Sequence, residues 1–323
     1  MNPEIVGIGE VLVDFVSTEP VSYIEALTFK KCFGGAPMNT LVGVTRLGST
    51  AGAITVVGDD PFGQFLLREL KNNGVDVSRV RIKKNARTTL AFVANKPETG
   101  ERTFIFYRTP WVRGTSVDAL SSKDVDYGYI SSSRILHVSG FALSGNPSRR
   151  AIFSAIIHAR KEGVKISFDP TLRLDVWRSE NAIRRIYRKV LKLSNIATFS
   201  REESEFMFGA QNPDEAADKA LKHGVEVVGI KLGERGSLVK TSDGERIYMP
   251  AFKVKAVDTT GAGDGWNAGL LVGLLKGWDL EKCVTVANAV GALVVTKHGA
   301  ITALPYKDEL NDFLNDQGLS VRI

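Results

Sequence analysis

The chain has 323 residues, 43% of them hydrophobic and 24% charged, with a formal charge of +6. That length and balance allow one large α/β unit with a sizeable core. They leave no room for a membrane span, because no apolar run approaches roughly 18 residues, and MNPEIVGIGE lacks the layout of a secretory leader, so a cytoplasmic protein without membrane partners is expected.

Cys32 and Cys283 lie far apart and form no C-x-x-C pair, so both are expected as buried thiols. The densest basic segment, residues 182–192, spaces its charges around an amphipathic helix and is read as a solvated face. No aromatic RNA motif or Cys/His finger accompanies it, and nucleic acid is not an expected partner.

In chain order, a strand at 5–8 is followed by a less regular run at 11–16. A helix at 37–47, a strand at 53–57 and a helix at 62–72 come next. Residues 88–94 and 103–107, joined by turn residues 95–100, read as a β-hairpin. Strands at 135–138, 164–168, 196–199 and 225–231 then alternate with helices at 148–161, 181–191 and 213–223. Strand and helix in turn predict a mainly parallel sheet covered by helices on both faces, a Rossmann-like three-layer sandwich. The run at 11–16 and the hairpin, with no helix between them, are expected to leave that sheet. They predict a small β-lid from about 11–31 and 88–108 on a single domain, 1–323.

The stretch KAVDTTGAGDGWNAGLLVGLL, 255–275, changes character in its middle. A strand is expected to end at 254–257 and the chain to turn at Asp258-Thr259-Thr260. Gly261-Ala262-Gly263 would then aim free backbone N–H groups outward at the start of a long apolar helix. Such a helix start suits a phosphate oxygen. Asp264, in the first turn, reads either as an acid well placed against the helix dipole or as a carboxylate kept ionised there to accept a hydroxyl proton.

DTTGAGDGWNAG closely resembles the C-terminal signature of the ribokinase-like (PfkB) carbohydrate kinases. FGGAPMNTLVGVTRLG (33–48) is similar to their N-terminal signature, VVGDDPFGQFLLRELKNNGVDV continues it, and IKLGERGSL (230–238) is similar to their nucleotide-side strand and turn. The resemblance covers nearly the whole chain. It implies phosphoryl transfer from ATP to a sugar hydroxyl, with magnesium. Asp264 then aligns with the general base, and Gly261, Ala262 and Gly263 with the anion hole. Asp14, Gly34, Gly35 and Asn39 match sugar-binding positions. Lys231, Gly233, Gly236 and Asn288 match the nucleotide side. Glu203 matches a magnesium-positioning acid acting through water, although Ser200 replaces the usual Asn of N-x-x-E. Asp258 and Thr260 match residues near a monovalent-cation site, which adds potassium to the implied ions. Pairing of such lids adds a homodimer, which an exposed apolar face on 11–16 would fit.

FDPTLRLDVW (168–177) is similar to a segment of fructokinases and 2-keto-3-deoxygluconate kinases, where Arg173 would reach the sugar. Tyr107 and Arg108 fall at positions those subfamilies use over the substrate, and Arg108 reads equally as a surface ion pair. Two arginines would suit a carboxylate, favouring the keto-acid, but fructokinases carry comparable arginines. Fructose is the leading expectation, 2-keto-3-deoxygluconate or a related keto-sugar acid the alternative, and a non-catalytic sugar or nucleotide sensor the reading from another class.

Overall fold

The computed structural model describes residues 2–95 and 102–323. The first half runs β1 (Ile5–Ile8), β2 (Leu12–Ser17), β3 (Phe29–Gly34), α1 (Ala36–Arg46), β4 (Ala51–Gly58), α2 (Pro61–Asn72), β5 (Val80–Lys83), β6 (Leu90–Asn95), β7 (Arg102–Tyr107), α3 (Tyr127–Ser131), β8 (Ile135–Ser139) and α4 (Ser148–Lys161). The second half runs β9 (Lys165–Asp169), α5 (Glu180–Leu191), β10 (Ile196–Ser200), α6 (Arg201–Phe208), α7 (Pro213–Leu221), β11 (Val227–Lys231), β12 (Ser237–Thr241), β13 (Arg246–Met249), α8 (Ala262–Lys276), α9 (Leu280–Val295), α10 (Ala300–Ala303) and α11 (Lys307–Asp316).

Nine strands form the main sheet in the order β13-β12-β11-β10-β9-β8-β1-β4-β5. The seven from β11 to β5 are parallel, and β12 and β13 add an antiparallel edge. β1 and β4 are buried along their whole length, as strands covered on both faces must be. Alternation sends Val6 and Ile8 to the core beneath α4, α5, α6 and α7, and Ile5 to the core beneath α1, α2, α8, α9 and α11. The expected three-layer α/β arrangement is present.

The run at 11–16 and the hairpin strands form a separate sheet with β3, in the order β3-β2-β6-β7. The hairpin turn at 96–100 lies outside the described residues. Two expectations are corrected. Residues 254–257 form no strand, and the N–H groups of Val257 and Asp258 go to the Val295 carbonyl at the end of α9 instead of to a sheet neighbour. The run at 11–16 presents no exposed apolar face, since Val11, Leu12 and Val13 are buried and β2 is an interior strand. Of the two cysteines, Cys283 is buried and Cys32 only half-buried. Among the described residues no helix is long and apolar enough to cross a membrane.

Candidate active site

The carboxyl ends of β9, β10 and β11, the residues following β1, and one face of the small sheet enclose a cleft of about 800 Å³. Open α/β sheets place their ligands at this end because loops there can converge on one point. Gly261 caps α8 with a φ of 80°, a left-handed conformation that a side chain resists, and a Cβ there would collide with Ala300. No side chain caps this helix, so its first-turn amides stay available apart from that of Ala262, which makes a long 3.3 Å contact to the Thr259 carbonyl. Gly261 and Gly263 line the cleft and Ala262 does not.

Asp264 lies on the cleft floor, and its Oδ2 accepts a 2.8 Å hydrogen bond from Asn39 Nδ2. Withdrawal from water pushes its pKa up to about 7, with further repulsion from Asp169 and Glu10 and partial relief from Asn39 and Lys231. Burial thus acts against the ionised form that the sequence reading assigned to this helix start.

Of the residues expected to bind sugar, Asp14 projects from β2 into the cleft, and burial raises it to about 7 against the pull of Arg173 and Arg102. Gly34 does not line the cleft. It leaves room for Asp14, whose carboxylate would collide with any Cβ there. Gly35, the N-cap of α1, and Asn39 do line it. Arg173 lines it too, stacked over the Phe104 ring at 4.8 Å and donating to the Leu172 carbonyl at 2.9 Å.

The strand β7 decides two other expectations. Its residues Arg102, Phe104 and Phe106 face the cleft, so Tyr107 points to the opposite face, where it is 48% exposed and packs on Phe92 at 5.3 Å. Tyr107, expected over the substrate, thus does not line the cleft. Arg108 is neither a surface ion pair nor a lining residue: it is fully buried, pairs with Asp118 at 2.6 Å, donates to the Phe141 carbonyl and lies over the Phe141 ring.

Of the residues expected on the nucleotide side, Lys231 and Gly233 line the cleft. Gly236 turns the chain against the Met249 carbonyl, away from it. Asn288 is corrected from a nucleotide contact to a structural residue. Its Oδ1 accepts from Ser237 Oγ and Trp266 Nε1, and its Nδ2 donates to the Met249 and Pro250 carbonyls, which leaves nothing for a ligand.

Ser200 and Glu203 form a capping box on α6. Ser200 Oγ accepts from the Glu203 amide, while Glu203 Oε2 accepts from the Ser200 amide and Oε1 from that of Leu172. Serine therefore does the capping work open to Asn. Burial and the neighbouring Asp169 raise the Glu203 pKa.

Sequence reasoning missed Asp169 and Glu10. Asp169 ends β9, and its Oδ2 accepts from Lys231 Nζ at 2.7 Å and Asn267 Nδ2 at 2.6 Å. Burial alone would raise its pKa, but the Lys231 ammonium holds it well below the usual range. An acid closing a buried strand just before proline was the available signal. Glu10, directly after β1, lines the cleft and accepts from Ser139 Oγ at 2.7 Å, and burial raises it to about 7.

The profile of the "pfkB family carbohydrate kinase" matches residues 2–307. The chain is 38% identical to "Probable fructokinase-7" of Arabidopsis thaliana over 96% of its own length and 92% of that protein. It is 33% identical to a 5-dehydro-2-deoxygluconokinase of Clostridium tetani over 97% and 93%. A double mutant of fructokinase from Vibrio cholerae, solved with fructose, ADP and potassium ion bound, superposes with a TM-score of 0.84 at 30% identity, covering 97% of this chain and 99% of that one. The chain belongs to the pfkB family of carbohydrate kinases. It is an ATP-dependent sugar kinase of that type with the ribokinase-like fold.

Among the described residues no group of three or more His, Cys, Asp or Glu side chains could hold a metal by itself. Glu203, bordering the cleft with each oxygen bonded to only one amide, fits an ion that keeps its waters and rides on phosphate oxygens, as magnesium does.

Proposed function

We propose that the protein phosphorylates a primary hydroxyl of a neutral keto-sugar, fructose, with Asp264 as the proton acceptor and the small sheet as a lid over the sugar. The observation that carries the substrate choice is the neutralisation of its arginines. Arg108 is consumed by Asp118 behind the cleft and Arg102 by Asp258, which leaves Arg173 as the guanidinium opposite the carboxyls of Glu10, Asp14 and Asp264, while Arg201 and Arg235 line the cleft beyond the ends of β10 and β11. Hydroxyls satisfy such carboxyls by donating hydrogen bonds, whereas a sugar acid would add a like charge to them.

Asp264 would take the proton of the attacking hydroxyl as the oxygen moves onto phosphorus. Asn39 orients that carboxylate, and the amides around Gly261 and Gly263 receive the growing phosphoryl charge. Lys231, anchored by Asp169, borders the same space. Magnesium, when bound beside Glu203, would supply charge neutralisation at the phosphate oxygens.

Initial rates of ADP formation on fructose, 2-keto-3-deoxygluconate and 5-dehydro-2-deoxygluconate test this reading. Fructose is expected to give the highest kcat/KM, by about tenfold or more, the worth of one charge-assisted hydrogen bond. A higher value on either acid overturns the substrate choice, and the Clostridium tetani relative makes the second acid the sharper rival. Binding without turnover on all three would return the sensor.

A further inference from the structure

Potassium was implied at Asp258 and Thr260, yet the chain already carries a cation there. Arg102 Nη1 lies 3.0 Å from Asp258 Oδ1 and also donates to Thr260 Oγ1. The remaining capacity of the Asp258 carboxylate is taken by amides, with Thr260 N donating to Oδ1 and Gly299 N to Oδ2, both at 2.8 Å. The carboxylate is buried and its single negative charge is met by one fixed positive charge. An alkali ion bound to the same carboxylate would have to displace the guanidinium or sit beside it against its repulsion. These residues do not fit an additional monovalent cation.

The position of Arg102 gives the pair a second consequence. Arg102 begins β7, the edge strand of the small sheet, whereas Asp258 and Thr260 directly precede Gly261, the cap of α8. One guanidinium therefore straps the sheet carrying Asp14 to the turn that presents the helix amides, and its charge reaches Asp14 as well. It also forms part of the wall between the cleft and a second cavity of about 860 Å³, which Asp258, Thr259 and Gly299 line from the other side. Small cations in solution thus have a path to Asp258 once the arginine side chain is removed.

We propose that Arg102 is a built-in monovalent cation: a positioning residue that clamps the Asp258–Gly261 turn to the small sheet and makes the enzyme independent of potassium. The proposal rests on the kinase activity and not on the choice of acceptor, because its central readout is nucleotide affinity.

Calorimetric titration of ADP into the wild-type protein, in potassium chloride and in choline chloride of equal ionic strength, is expected to give Kd values within about twofold of each other, and turnover on whichever sugar is accepted should follow the same rule. R102A is expected to lose about tenfold or more in ADP affinity and turnover in choline, and to recover most of both on addition of potassium or guanidinium ions. R102K, which keeps the charge, should lie between them. Tenfold tighter ADP binding by the wild type in potassium overturns the proposal and requires no variant to fold. So does an R102A that matches the wild type in choline, or a folded R102A, checked by its thermal transition, that neither cation rescues, since a purely structural role would be insensitive to cation identity. Failure of fructose as acceptor leaves every one of these readouts in place.

Discussion

Asn39 Nδ2 donates to Asp264 Oδ2 at 2.8 Å, joining the first turns of α1 and α8 across 225 positions of sequence. The pair places a neutral donor against the carboxyl proposed to accept the proton, and both first turns face the same cleft. Thr40 Oγ1, donating to the Asp264 backbone carbonyl, fastens the two helices at the next residue.

The first expectation concerns Asp264 itself. D264N should lower kcat by about 10²–10⁴-fold while sugar binding, followed by calorimetry, stays within a few-fold of the wild type. Because the wild-type carboxyl sits at about 7, kcat/KM should fall tenfold per pH unit well below that value. A variant with full turnover would remove Asp264 from the mechanism.

Stability carries the opposite sign. The folded protein holds a proton on Asp264 up to about pH 7, whereas an unfolded chain releases it near pH 4, so this residue makes stability fall as pH rises through that window. D264N should therefore be more stable than the wild type at pH 8, with the gap closing toward pH 4. Thermal melts of both proteins at the two pH values measure it.

Removing the partner tests the pair from its other side. The Asn39 hydrogen bond lowers the Asp264 pKa, so N39A should move the acid limb of the kcat/KM profile to higher pH. A pH profile that is merely scaled down, with its limb unmoved, would mean that Asn39 only holds the sugar.

Lys231 and Asp169 form a buried ion pair, with side chains 15% and 7% exposed. K231M leaves the Asp169 carboxylate without its counter-ion, and the expected loss is about 3–5 kcal/mol of unfolding free energy. K231M/D169N should recover a large part of it, which urea titrations of the three proteins would reveal.

At Ser200 the capping geometry makes a graded forecast. S200A removes the acceptor for the Glu203 amide and should cost about 1 kcal/mol, whereas S200N, an equally good cap, should change stability by less than about 0.5 kcal/mol. Denaturant midpoints compare the two directly. Equal losses would show that the cap contributes nothing.

Much of the fold was legible in the sequence. Buried parallel strands such as IVGI and AGAITVVG announce themselves by apolar runs, and the turn before α8 by glycines at a helix start, because these patterns express local geometry and burial. Asp264 could be singled out for the same reason. The apparent strand at 254–257 failed because β-rich composition cannot say whether a sheet neighbour exists, and here the amides found the end of α9.

By itself, then, the sequence determined the alternation of the principal strands and helices, the glycine turn at the start of α8 and the acid that follows it, all of which depend on residues near one another along the chain. Only the tertiary structure decided that Tyr107 faces outward, that Arg108 is spent on Asp118, that Asn288 braces β13, and that Lys231 meets Asp169 and Arg102 meets Asp258. Those outcomes turn on which face of a strand meets the cleft and which opposite charge lies nearest in space. Strand pairing and long-range packing set both, and neither leaves a local mark in the chain.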